Sequence, residues 1–104
     1  MYVVGVTYED SVHVGPDVVK AHQDFIINLL QPYLLRRTVE TGIRGLEPEG
    51  VPRYSRLVRY YFNSLEDYEK SWAVHHDKII LDGYEKMNVP FYIQLNEVVY
   101  DVTF

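Results

Sequence analysis

His22 is the side chain best placed to do chemistry. Val18, His22, Phe25, Ile26, Leu29 and Leu30 recur at helical spacing, and His22 is the titratable residue on that apolar stripe. An imidazole turned toward a sheet could act as general base or general acid near neutral pH. It could equally be a core histidine bonded to a strand tyrosine. Trp72 and His76 stand one turn apart on a second helix and project from the same side. With His22 they could line one cleft, His76 being the second candidate acid–base group. A flat aromatic wall beside such a group suits a planar, apolar ligand, with Trp72, Phe25, Tyr60 and Tyr8 as the binding residues; ordinary core packing is the alternative for Trp72.

The remaining polar clusters carry less. Neighbours on a helix diverge by about 100°, so His75 and His76 cannot both point inward, and the run His75-His76-Asp77 does not converge on one ion. The His-x-x-x-His spacing that would converge is absent, and no metal site is expected. A haem between helices and sheet could take His22 or His76 as axial ligand, but proton chemistry by histidine requires no cofactor, and none is expected. Tyr2, Tyr8, Tyr60, Tyr61, Tyr92 and Tyr100 could include a donor to a substrate carbonyl. Strand parity divides them between the two sheet faces. Glu66, Asp67 and Glu69 read as a solvated start to the second helix, matched to its dipole. Arg36 and Arg37 could hold a substrate carboxylate, with surface charge as the default reading.

Composition removes several classes of function. A net charge of -5, with Lys and Arg scattered, argues against nucleic acid as a partner. There is no cysteine, hence no disulfide, no thiolate nucleophile and no cysteine-bound metal. No apolar run approaches the roughly 20 residues that span a bilayer, and the chain enters strand-like sequence at once without an export signal. A soluble, cytoplasmic protein without membrane contact is the expectation. Ten tyrosines against four phenylalanines and one tryptophan favour interfaces and pocket walls, where a large apolar ring with one hydroxyl fits.

The elements that must position these residues fill the chain as a single domain, 1–104. Tyr2 to Tyr8 reads as a strand, and Pro16 suits the first position of a helix that Pro32 ends near Gln31. A second strand is predicted over Arg37 to Arg44, a loop over Gly45 to Pro52, and an aromatic third strand over Tyr54 to Phe62. Ser64-Leu65-Glu66-Asp67 resembles a capping box opening a helix with Leu65, Tyr68, Trp72, His76 and Ile79 on one stripe. Gly83 could stop that helix or merely loosen it before Pro90. Phe91 to Val102 is the last strand.

The order is βαββαβ, an α+β, ferredoxin-like arrangement with two helices on one face of a four-stranded antiparallel sheet. The uncovered face should be polar if it meets water. Val58, Tyr60 and Phe62 lie on one face of the third strand and Leu57 and Tyr61 on the other; Phe91, Ile93, Leu95 and Val99 oppose Tyr92, Val98 and Tyr100 on the fourth. Both faces therefore carry aromatic and apolar residues, which predicts a homodimer with sheets back to back, the alternative being a monomer with an unusually apolar open face.

The stretches Ala21-His22-Gln23-Asp24-Phe25, Leu29-Leu30-Gln31-Pro32-Tyr33-Leu34 and Tyr60-Tyr61-Phe62-Asn63-Ser64-Leu65-Glu66-Asp67-Tyr68, followed by Trp72, resemble the EthD-like family of the dimeric α+β barrel superfamily. The resemblance spans nearly the whole chain. It departs from the family at Asp24, where members often carry proline after the histidine. It implies a homodimer sharing a barrel, with a pocket in each subunit between helices and sheet. Relatives across the superfamily include cofactor-free monooxygenases, polyketide cyclases, lactone isomerases and haem-degrading enzymes, and others with no demonstrated activity. The expectation is an EthD-like small-molecule-binding protein, a cofactor-free enzyme acting by proton transfer on an apolar aromatic or polyketide-like substrate. Cyclisation, isomerisation, dehydration and oxygen insertion are the reaction types open to it. The alternative is a non-catalytic binding or stress-response module.

Overall fold

The computed structural model describes residues 1–9, 16–41, 54–87 and 96–103. Strand β1 (Tyr2–Glu9), helix α1 (Pro16–Leu30), β2 (Arg36–Thr41) and β3 (Tyr54–Phe62) are followed by a long helical run and then β4 (Asn96–Asp101). That run consists of α2 (Leu65–Tyr68), a π-helical turn (Glu69–Ala73) and α3 (Val74–Met87). The sheet order is β2-β3-β1-β4, with every neighbouring pair antiparallel. β1 and β2 are thus parallel with β3 inserted between them, the split βαβ expected from the order of elements.

Register sorts the side chains onto two faces. Tyr2 pairs with Phe62, Val4 with Tyr60 and Val6 with Val58 across β1 and β3. These residues turn toward the helices, where Val19, Ile26 and Leu30 of α1 and Trp72 and Ile79 of the second helical run close the core. Ile26, Leu30, Val4, Val58, Tyr60 and Phe62 are all fully buried or nearly so. Each aliphatic side chain placed there contributes about 1.5–3 kcal/mol of transfer free energy. Acidic Asp17 lies in the first turn of α1, where it complements the helix dipole. The helix ends at Leu30, whose carbonyl accepts from the backbone N–H groups of Tyr33 and Leu34.

Ser64 caps the second helical run as its sequence predicts: its extended backbone places Oγ to accept from the Asp67 amide at 3.2 Å. Gly83 does not stop the helix, which continues to Met87. The stripe drawn from a constant α-helical period needs correction at Leu65, which is 46% exposed. The π-helical turn inserts extra chain between α2 and α3, so one period cannot describe both. Within that turn Ser71 is buried and its hydroxyl donates to the Asp67 carbonyl at 2.6 Å, occupying an acceptor that an α-helix would give to a backbone amide. Tyr68 packs on Tyr2 and Phe62, with ring centroids 5.8 and 6.2 Å away, while Trp72 packs on Tyr60 at 5.1 Å.

β2 begins at Arg36, one residue earlier than predicted, because the Leu35 amide already bonds to the Tyr61 carbonyl. The segment from 42 to 44, the Gly45–Pro52 loop, Pro90, and Phe91, Tyr92, Ile93 and Leu95 of the expected last strand lie outside the described residues. Val102 follows the strand instead of ending it, with its amide on the Met1 carbonyl.

The face away from the helices is less bare than expected. Tyr61 is only 9% exposed, because the Arg36 guanidinium lies 4.5 Å above its ring. Val3, in register with both Tyr61 and Tyr100, is fully buried between them. Arg59 donates to the Tyr100 hydroxyl at 2.9 Å and pairs with Glu40. Val98 remains 55% exposed beside Gly5, where an added Cβ would come within 3.4 Å of the valine and 3.5 Å of Tyr100. No described helix is long and apolar enough to cross a membrane.

Candidate functional site

α1 carries His22 on its buried stripe, 1% exposed, in the plane between α1 and α3. Its Nδ1 lies 2.7 Å from Oδ2 of Asp82 on α3. Asp82 is itself buried, and its second oxygen accepts from the ammonium of Lys86, one turn on. Lys86 also stands 4.8 Å above the Phe25 ring of α1. A histidine, a carboxylate and an ammonium therefore form one chain across the two helices, running from the interior to an exposed lysine.

The electrostatics follow from this arrangement. Burial lowers the His22 pKa from its ordinary value, with a smaller contribution from the Lys86 charge; the hydrogen bond and charge of Asp82 oppose the shift without cancelling it. Burial pushes the Asp82 carboxyl up, but hydrogen bonds from Lys86 and His22, with their charges, outweigh it and its pKa is lowered. Near neutral pH the pair is accordingly a neutral imidazole donating Nδ1–H to a carboxylate. That tautomer leaves the lone pair on Nε2, the form required of a general base.

Trp72 and Tyr60 are buried in the core with their rings tilted 45° to one another, and Phe25 is half-buried under Lys86. His76 is half-buried on α3, as is its neighbour His75. Tyr8 lies in β1, and its side chain falls outside the described set. Arg36 and Arg37, adjacent in sequence, point to opposite faces of β2: Arg36 covers Tyr61, whereas Arg37 reaches Gln23 of α1. Among the described residues no three His, Cys, Asp or Glu side chains gather as a metal site.

Two buried polar residues, Asp82 and Gln23, were not among the candidates drawn from the sequence. Gln23 is amide rather than titratable, and it follows His22 directly. Asp82 sits between Leu81 and Gly83, a context that reads as helix end. A signal for Asp82 exists in the sequence, since it lies three residues after buried Ile79 and four before Lys86, spacings that share one helix side.

No family model matches the sequence, and no curated protein matches it. Solved structures do. An EthD-like protein from Ralstonia eutropha JMP134 superposes with a TM-score of 0.66 at 18% identity, covering 95% of this chain and 86% of its own. An ethyl tert-butyl ether D (EthD) family protein from Bacillus halodurans C-125 gives 0.67 at 14% identity, covering 99% of both chains. The class defined by element order, sheet topology and helix placement is thus α+β and ferredoxin-like. Within that class the chain has the fold of the EthD-like proteins, as the motifs around His22 and Trp72 lead one to expect.

Proposed function

We propose that this protein binds a small, apolar, aromatic or polyketide-like molecule between its helices and sheet, and acts on it by proton transfer without a cofactor. The observation that carries the reading is the buried His22–Asp82 hydrogen bond of 2.7 Å. Neutral His22 takes a proton at Nε2 from a carbon next to a substrate carbonyl, and Asp82 stabilises the imidazolium that results. The proton returns at another carbon or to an oxygen, which yields isomerisation, cyclisation or dehydration according to the substrate. Trp72, Tyr60 and Phe25 supply the aromatic surroundings, and His76 is the second acid–base group. The working unit is a homodimer joined through the outer sheet faces.

Solvent exchange tests the reaction without requiring the natural substrate. Aryl 1,3-diketones are incubated with the protein in deuterated water, and deuterium incorporation at the acidic carbon is followed by NMR. Wild type accelerates exchange, and His22→Gln, which keeps a hydrogen-bond donor toward Asp82, loses about 100-fold or more. A folded His22→Gln protein that exchanges as fast as wild type overturns the catalytic role, as does wild type with no effect on any diketone.

A further inference from the structure

Gln23 is the second polar side chain on the buried stripe of α1, 3% exposed. Arg37 Nη1 donates to its Oε1 at 2.9 Å. A guanidinium has donors and no acceptor, so this contact fixes the amide orientation: the oxygen must face Arg37, and the two N–H bonds of Nε2 must point elsewhere. Nε2 is buried and has no hydrogen-bond partner among the described residues. A buried amide nitrogen without an acceptor is costly to keep. The chemistry missing there is an oxygen.

Arg37 adds a charge at the same place. It is half-buried, and among the described residues no carboxylate pairs with it. It belongs to β2, in register with Tyr60, whose ring packs on Trp72. A cation and an unfilled amide donor therefore adjoin the aromatic part of the helix-covered face. We infer that Gln23 and Arg37 bind a carboxylate of the ligand, one oxygen taking Gln23 Nε2–H and the charge being matched by the guanidinium. The inference rests on the proposed binding of a small molecule between helices and sheet, and it names the class: an aromatic carboxylic acid, its ring toward Tyr60 and its carboxylate at the β2 edge.

The test is a titration of the isotope-labelled full chain with benzoate and with 2-naphthoate, followed at the Gln23 side-chain amide and the Arg37 Nε–H resonances. Both resonances shift saturably with the acids and stay in place with methyl 2-naphthoate. Gln23→Glu supplies an internal carboxylate to Arg37 and repels the ligand, and Arg37→Met removes the charge. Each weakens 2-naphthoate by about tenfold or more, while the backbone spectrum is retained. The inference is overturned if the ester binds as tightly as the acid, if a folded variant binds the acid as wild type does, or if the Gln23 amide does not respond at millimolar acid. Any of these results beside His22-dependent exchange removes the carboxylate site alone. A Gln23 response without His22-dependent exchange keeps the binding site and removes the reaction.

Discussion

A histidine in a core is common; a histidine whose Nδ1 is bonded to a carboxylate that is itself held by a lysine is a more specific arrangement. Asp82 does two things for His22: it selects the tautomer, and it resists the lowering of the pKa that burial imposes. Removing the carboxylate in Asp82→Asn therefore sends the His22 pKa further down, which an NMR titration of the imidazole reads directly; an unchanged or raised value contradicts the pairing. The same shifts fix the sign of the pH dependence of stability. The folded His22 pKa lies below its unfolded value, so the unfolded chain binds more protons in the window beneath about 6.5 and stability falls as pH falls through it. Asp82, lowered as well, contributes stability that is present above its unfolded pKa of about 3.9 and is lost at more acid pH. Thermal melts between neutral and mildly acid pH check this, with His22→Gln giving a flatter profile than wild type.

At the scale of elements, local sequence and structure agree where the backbone chemistry is explicit. The Ser64 cap, the aromatic alternation of β3 and the Pro16 helix start were legible because each depends on residues within a few positions. Ser64→Ala, which frees the Asp67 amide, should cost about 1 kcal/mol by chemical denaturation; a loss near zero would mean that the π-helical turn, not the cap, holds this end of the helix. The turn itself was not legible, since Glu69 to Ala73 has an ordinary helical composition and only a tertiary context with Ser71 buried favours the extra residue. The candidate site shared this limit. His22 was legible from its stripe, but Asp82 becomes its partner only once α1 and α3 pack together, and Gln23 is drawn inward by Arg37 from a strand fourteen positions on. Contacts that depend on register between distant elements leave little trace in periodicity.

For the molecule as a whole, the described helices pack on one face of the sheet, and among the described residues no helix covers the other. Its rings are partly screened by Arg36 and Arg59, yet Val98 stays more than half exposed beside Gly5. The proposed dimer buries this face, and a stable interface requires about 800 Å² per partner. Analytical ultracentrifugation should find a dimer for wild type, and Val98→Lys should shift it to monomer by placing a buried charge at the junction; a monomeric wild type at high micromolar concentration would refute sheet-to-sheet pairing. The π-helical turn has one further consequence, which concerns length and not chemistry. Tyr68 is anchored on Tyr2 and Phe62 at one end of the helical run, and Asp82 on His22 at the other. Deleting a single residue within Glu69–Ala73 would remove the extra chain and let the turn relax to an ordinary α-helix with the two anchors still in phase, because that residue is what the wider turn absorbs. The interval from Tyr68 to Asp82 thus has slack in one direction: it can lose a letter at the turn and keep both anchors, but gaining one within an α-helical stretch would turn them about 100° apart.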